Sequence, residues 1–582
     1  MTSPDGKVPT DARRRRFRRA LALALLAGAT ATGACVDTPT VGPDRAAPDR
    51  PSLTLNPACD PGLGGQTHTD SVLAAETWTR ANNPHRVNQP IYIHGAGVLT
   101  LQPGVLVCFG TGAGLAALGG GYLVANGLDT ARIVLTAADP DSGWWGVHMA
   151  GTPAAGSSLR NVRLERTRTL YSLSTNDDHA ATLDSVVFRQ VEHGLHLWGR
   201  GTSLRRSRMD TVTSALVPAV ALGNQVTFEK NTVRGAAGVG VAVLGTSGVS
   251  LLGGRIEGSG GVGLQANGIA GPGFTATLPV RVVGGASYPA ELSVGAFSKI
   301  YTQTSHQDSL LGNARDTLVV TGGALTWLGI ASNKIPWRVT DDIVVQGWGG
   351  LNALPGAVLV FDQDVLVTAR DGGRIVARGT QAAPARFTSA AGASWYGIRL
   401  EGTPALGSHL SNVRIENVTD GWAVWAEGLH TVVIDSAVFR QVGAAAWLMS
   451  PNSRISRTRV DTTTTGLVAI GLWGDNQVLE STRVRASGGV GIAIDESSSS
   501  ILSCEVLDSA EAGIQVWNAP VHNCNLVNNQ GVGIDSYDAM ISADGNWWGD
   551  AAGPTGPNGD GVAGGVGYTP WRTTPYVLPY VP

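Results

Sequence analysis

A glycine followed by residues that alternate between two faces recurs down this chain at nearly fixed intervals. It stands at Gly240-Val241-Ala242-Val243, Gly491-Ile492-Ala493-Ile494, Gly513-Ile514-Gln515-Val516 and Gly533-Ile534-Asp535, with further instances at Gly194 and Gly263. The intervals are 20–23 residues, or 46 where one repeat intervenes. Alternation of period two marks strands, with Val and Ile turned inward. A unit of about 20–25 residues cannot bury that face by itself, so it must stack on copies of itself as a parallel β-solenoid. A propeller would need about 40–45 residues and four antiparallel strands per blade. The 78 glycines and the four lysines suit many short strands and tight corners, with Gly, Asn and Asp expected to supply the unusual corner conformations.

A second, longer repeat overlies the first. Trp144-Trp145-Gly146-Val147, Gly151-Thr152-Pro153-Ala154 and Asn161-Val162-Arg163-Leu164-Glu165 return as Trp395-Tyr396-Gly397-Ile398, Gly402-Thr403-Pro404-Ala405 and Asn412-Val413-Arg414-Ile415-Glu416, always 251 residues later. The same offset relates Asp184 to Asp435, Arg189 to Arg440 and Asp210 to Asp461. Upstream it slips by one residue, Arg86-Val87 matching Arg338-Val339. The chain therefore reads as all-β, with two tandem copies of a unit of roughly 250 residues. Copy one spans 70–332, of which 271–332 fits the period poorly and marks a junction. Copy two spans 333–582, and one continuous rod is expected across the junction.

The phrases Pro103-Gly104-Val105-Leu106-Val107, Ala125-Asn126-Gly127, Ile133-Val134-Leu135-Thr136 and Trp144-Trp145-Gly146-Val147 resemble bacterial right-handed parallel β-helix repeat proteins of the pectin-lyase-like superfamily. The closing run Asn546-Trp547-Trp548-Gly549-Asp550 to Tyr568-Thr569-Pro570-Trp571 resembles their C-terminal ending, and Trp547–Trp571 is the expected cap. The resemblance covers nearly all of 70–572. It implies a right-handed parallel β-helix but no single activity, since that superfamily holds lyases, hydrolases, adhesins and proteins of other roles.

The N-terminus has the layout of an export signal: Arg13 to Arg16, Arg18 and Arg19, then the apolar run Ala20–Gly28, then small residues up to Cys35. It resembles a bacterial lipoprotein signal, which implies lipidation of Cys35, although Thr32 stands where Leu is commonest. Plain cleavage after Ala34 is the alternative, and Arg14-Arg15-Arg16-Phe17 loosely resembles a twin-arginine signal. On this reading 1–35 is a signal peptide and 36–69 a flexible stalk. The protein would be exported and held to a membrane by its lipid alone, at the outer membrane and cell surface or in the periplasm. Cys59 and Cys108 could pin the stalk to the first rungs. Cys504 and Cys524 lie 20 residues apart, so they stack on neighbouring rungs as either a disulfide or a buried thiol pair. No spacing suggests zinc, no cofactor motif is present, and a net charge of −3 suggests no nucleic-acid partner.

The duplication acts as an internal control on chemistry. Polar residues shared by both copies, namely Glu165/Glu416, Asp184/Asp435, Arg189/Arg440 and Asp210/Asp461, read as rung architecture. Copy one alone offers Asp177, Asp178 and His193, about one rung apart, which faintly resemble elements of polygalacturonase-type hydrolases. The spacing is compressed, however, and the basic element of that family is missing. Acid–base hydrolysis of a glycosidic bond would need these groups together. Asp544, Asp550 and Asp560 are the residues a Ca²⁺ ion would use, with turn formation their alternative role. Copy two offers Trp425, Trp447, Trp473 and Trp517, separated by 22, 26 and 44 residues, as one column with Asp495 in the skipped rung. Exposed, such a column would stack against sugar rings; packed beneath corner loops, it would be structural. The leading expectation is a non-catalytic surface protein binding polysaccharide or surface partners. A polysaccharide lyase or hydrolase and a structural envelope spacer are the alternatives.

Overall fold

The computed structural model describes residues 57–578, except 169–170, 246, 268–273, 301–303, 326–327, 331–332, 334, 405, 497 and 538–539. The expected signal peptide, Cys35 and most of the expected stalk lie outside the described residues. The end of that stalk is instead part of the fold. From Pro57 the chain makes 3-10 turns at Pro57–Cys59 and Pro61–Leu63 and its first strand at Gln66–His68. A disulfide joins Cys59 to Cys108, and the Arg86 guanidinium donates to the carbonyl of Asp60 at 2.8 Å, so this segment is tied to the first rungs.

The chain coils about 19 times with almost no helix. Each rung contributes three strands, one to each of three faces. Ser157–Arg160, Val162–Glu165 and Leu173–Thr175 make one rung, and Ala181–Asp184, Val187–Val191 and Leu195–Leu197 make the next. Parallel pairing sets Leu159 beside Leu183, Leu164 beside Phe188 and Leu173 beside Leu195, so apolar side chains stack on their own equivalents to fill the interior. Each fully buried Leu or Ile adds roughly 1.5–3 kcal/mol. The glycine that leads each alternation has a physical cause other than corner conformation. A Cβ on Gly194 would lie 1.7 Å from the Ala219 carbonyl oxygen, and one on Gly513 would lie 2.8 Å from that of Gly533. Successive rungs approach too closely there for any side chain.

Most left-handed backbone falls on glycine and Asx residues, as expected, yet two series of left-handed corners also take other residues. Between the first and second faces they fall at Asn161, Ser185, Arg206 and Lys230, and beyond the second face at Arg166, Gln190 and Thr211. Copy two repeats both series at Asn412, Ser436, Arg457 and Ser481, and at Asn417, Gln441 and Thr462. Ser, Arg, Lys, Gln and Thr can stand there because the ladder itself holds the corner. The amides of Asn161, Ser185 and Arg206 each donate to a carbonyl of the next rung, at Asp184, Arg205 and Glu229. That bond offsets the roughly 1–2 kcal/mol cost of the left-handed conformation. Buried contacts recur at the same offset. The Trp144 indole donates to the Glu165 carbonyl at 2.8 Å and that of Trp395 to the Glu416 carbonyl at 2.9 Å. His179 with Ser157 and His430 with Ser408 are both hydrogen-bonded at 2.8 Å.

At the junction, among the described residues, one face passes through. The first two faces of copy one end at the strand Thr275–Val283, which is covered by the helix Val294–Ile300 and the 3-10 turn Asp308–Leu310. The third face continues, since Ala290–Ser293 pairs with Leu318–Thr321. Leu318–Thr321 is the counterpart, 252 residues on, of Gln66–His68, which belongs to the second face of copy one. Copy two therefore begins before residue 318 rather than at 333, and it is stacked one face out of phase with copy one. At the far end Trp548 is fully buried, Tyr568 packs edge-on to it, and Tyr576 exchanges two hydrogen bonds with the side chain of Asn525.

Candidate functional site

The outward side of the third face carries aromatic residues in both copies. In copy two the strands Gly397–Leu400, Val413–Ala426, Val438–Leu448, Ile470–Leu472, Ile492–Ile494, Ile514–Val516 and Ile534–Ser536 stack in register. Trp425 lies beside Trp447, but the next equivalent residue is Gly471; Trp473 is two positions further along the strand. The expected single column is thus two adjacent ones, Trp425–Trp447 and Trp473–Trp517, joined across Gly471. A Cβ there would lie 2.5 Å from the Trp447 ring, so glycine makes room for the indole. Ring centroids follow at 5.2 Å from Trp447 to Trp473 and 4.9 Å from Trp473 to Trp517, the latter pair meeting across the rung of Asp495.

Two further rings complete the ladder. Trp422 lies 5.1 Å from Trp425 and 4.9 Å from Trp447, and Tyr537 stacks on Trp517 at 4.9 Å. Tyr537 follows Trp517 by 20 residues, a spacing the sequence already offered. Trp422 was not legible, because an irregularity in register between Val418 and Trp422 brings it to this side. The five indoles are half-buried and Tyr537 is 52% exposed. The indole N–H groups of Trp422, Trp425 and Trp473 are buried without an acceptor. Arg399 lies over the Trp425 ring at 5.6 Å and is held by Glu401 at 2.5 Å and Glu427 at 3.0 Å. Gln515 donates to the Tyr537 hydroxyl at 3.1 Å.

Residues 396–547 match the profile of the family described as right handed beta helix region, a span that contains the whole ladder. The fold of this chain is a right-handed parallel β-helix. No curated protein matches it.

Copy one of the β-helix carries a different set at the same register. Tyr171 and His196 stand 251 residues before Trp422 and Trp447. His196 stacks between Tyr171 at 4.4 Å and Trp198 at 5.3 Å, while Trp145 stacks on His148 at 4.9 Å. Burial lowers the pKa of both His148 and His196 below the usual imidazole value. Beside this patch runs a groove of about 840 Å³ whose lining includes Arg166, Arg168, Glu192 and His193. The positions 251 residues later are Asn417, Thr419, Gly443 and Ala444, so these four side chains are peculiar to copy one.

The hydrolase candidates are not brought together. Asp177 and Asp178 follow the strand Leu173–Thr175, whereas His193 precedes its neighbour Leu195–Leu197, with Leu173 beside Leu195. The two carboxylates and the imidazole thus sit at opposite ends of paired strands. Asp177 accepts from the Gly151 amide at 3.2 Å, Asp178 faces Arg200 at 3.5 Å, and His193 Nδ1 is buried without a partner. The polar residues shared by the copies form arginine–carboxylate ladders. Asp184 takes a forked pair of bonds from Arg206, whose guanidinium holds its pKa below the usual carboxylate value; Arg457 reaches Asp435 at 2.6 Å. Arg208 with Asp210 and Arg459 with Asp461 both lie at 2.6 Å. Glu165 faces Arg163 at 2.8 Å, and Glu416 faces Arg386 at 2.7 Å.

The calcium candidates are also separated. Asp544 pairs with His522, Asp550 accepts from the amides of Ala552 and Asn558, and Asp560 accepts from Asn529 at 2.6 Å. Among the described residues no three His, Cys, Asp or Glu side chains gather as a cation site. Cys504 and Cys524 are free, buried thiols, with the Cys504 amide 3.3 Å from the Cys524 sulfur, and burial pushes the Cys504 pKa up. Among the described residues no helix is long and apolar enough to cross a membrane.

Proposed function

We propose that this β-helix is an exported, lipid-anchored surface protein whose second copy holds a polysaccharide chain on its aromatic ladder without transforming it. The ladder carries the reading. Trp447, Trp473, Trp517 and Tyr537 follow one another up the rungs at 4.9–5.2 Å, with Trp422 4.9 Å from Trp447 and 5.1 Å from Trp425. Rungs about 4.8 Å apart advance by roughly the length of one pyranose ring, so apolar sugar faces can meet the indoles on every rung of the ladder but that of Asp495. Apolar faces left half-covered are unfavourable in water, and stacking a sugar on each recovers roughly 0.5–1.5 kcal/mol. Arg399, Gln515 and Asp535 flank the rings with groups that can bond to hydroxyls. Chemistry on the chain would need acid and base on either side of one bond; the separation of Asp177 and Asp178 from His193 speaks against those residues supplying it.

The test is a glycan array followed by co-sedimentation with insoluble cellulose, xylan and chitin, comparing wild type with Trp447→Ala/Trp473→Ala. Each ring removed should weaken binding about 2–10-fold. A parallel assay for reducing ends and unsaturated uronides should remain at background. Undiminished binding by the double variant, or steady product release, would overturn the reading. Incorporation of labelled palmitate that is lost in Cys35→Ala tests the anchor.

A further inference from the structure

The two aromatic patches occupy the same face of their own copy but not the same face of the molecule. Leu318–Thr321, which opens the second face of copy two, stacks on Ala290–Ser293, the last strand of the third face of copy one. The strand Gly323–Leu325 begins copy two's own third face and has the helix Val294–Ile300 packed against it. The column of strands that carries the ladder therefore starts at the junction and does not lead back to the patch of copy one. A single straight chain lying on the ladder cannot continue onto Tyr171, His196 and Trp198.

The two patches also differ in chemistry. The ladder is built almost entirely of indoles. The copy-one patch is mixed, with His148 bonded to the Ser174 hydroxyl at 2.8 Å and His196 stacked between Tyr171 and Trp198. Ser172, next to Tyr171, bonds to the backbone carbonyl of His193 in the neighbouring groove. In that groove Arg166 is held by Gln190 at 3.3 Å and pairs with no carboxylate among the described residues. Arg189, lining the adjoining depression with Arg166, pairs with none either, whereas its counterpart Arg440 faces Asp461 at 3.3 Å. Guanidinium groups without a carboxylate partner offer donors to hydroxyls and oxyanions that copy two does not reproduce.

From the phase shift and the second patch we infer that one molecule holds two separate saccharide chains. The chain on copy two would lie on the indole ladder. The chain on copy one would lie on the Tyr171–His196–Trp198 patch and its charged groove, so the protein acts as a cross-link between polysaccharides. The inference rests on the sugar-binding reading of the ladder, and the experiment separates the two.

Beads coated with xylan, cellulose oligomers, polygalacturonate or alginate are mixed in all pairs with the full chain. Bound protein and bead clumping are measured side by side. Wild type should clump at least one pair. Trp447→Ala/Trp473→Ala and His196→Ala/Trp198→Ala should each keep about half the bound protein and lose clumping, and the quadruple variant should bind nothing. Circular dichroism and a melting curve establish that each variant folds; His196→Gln/Trp198→Phe replaces the patch variant should it not. Clumping that survives in either double variant, or wild-type binding without clumping, would overturn the cross-link. Loss of all binding in the ladder variant alone would also overturn it while leaving the ladder reading intact. Binding that persists in the quadruple variant would remove both.

Discussion

Acid should loosen this β-helix from its N-terminal end, and the expected size follows from one buried imidazole pair. His68 in the first strand lies 3.9 Å from the Trp78 ring and 2.9 Å from His85 Nδ1, and His85 in turn bonds to the Thr79 carbonyl at 2.8 Å. Burial, reinforced by His85 and opposed by Glu76, lowers the His68 pKa to about 4; burial lowers that of His85 as well. A depressed histidine pKa means that unfolding takes up a proton once the pH is below about 6.5. Stability from this pair is therefore complete above pH 6.5, is lost as the pH falls toward 4, and changes little below that. A 2.5-unit interval at 1.36 kcal/mol per unit gives about 3 kcal/mol, which belongs to the coupled pair rather than to one ring. Hydrogen exchange read by mass spectrometry, corrected for intrinsic rates, measures the opening of 66–87 separately from the rest of the solenoid. Protection there should fall about 100-fold between pH 7 and pH 4, and His68→Phe, which keeps a ring against Trp78, should flatten most of that slope. The reasoning fails if wild type and His68→Phe lose protection equally over that range.

Two other perturbations act on named contacts. The Cys59–Cys108 bond closes a loop of 49 residues, for which chain entropy gives about 4 kcal/mol. Cys108→Ser should therefore open the first rungs to limited proteolysis while leaving peptides beyond the junction protected. Gly471→Ala places a methyl 2.5 Å from the Trp447 ring and 2.9 Å from Trp473 Nε1. It should displace those two indoles, reducing polysaccharide co-sedimentation several-fold at a stability cost of about 1–3 kcal/mol, read by denaturant titration.

The solenoid was legible because its cause repeats. Gly194, Gly240, Gly491 and Gly513 mark where one rung meets the next, and no larger residue fits at Gly194 or Gly513. The offset of 251 was legible for the same reason, since Trp144 and Trp395 keep the same acceptor on the next rung. The ladder was only half legible. Spacing found Trp425, Trp447, Trp473 and Trp517, but it cannot distinguish two adjacent columns from one, and the bulge that admits Trp422 leaves no periodic trace. The corners at Arg166, Gln190 and Lys230 were unreadable because left-handed backbone there is imposed by the ladder rather than by the residue. The stalk boundary was placed too late because 57–68 holds its place through Cys59 and Arg86, contacts that local composition does not encode.

The two copies complete their first described rung in different ways. Cys59 has its counterpart 251 residues on at Leu310, and Cys108 has its counterpart 252 residues on at Val360. At the N-terminal end of the described residues, a covalent bond fixes the 3-10 turn Pro57–Cys59 and a stacked His68–Trp78–His85 group packs beside it. Where copy one precedes, the equivalent 3-10 turn buries Leu310 completely, and Trp337, which occupies the position of His85, packs edge-on against Phe297 at 4.5 Å. Phe297 lies on the helix that ends copy one, so the first rung of copy two is completed by residues outside its own repeat. The imidazole pair and the disulfide both stand at the first described rung, where the equivalent rung of copy two has Leu310, Trp337 and Phe297, and that is why acid and reductant should act there first.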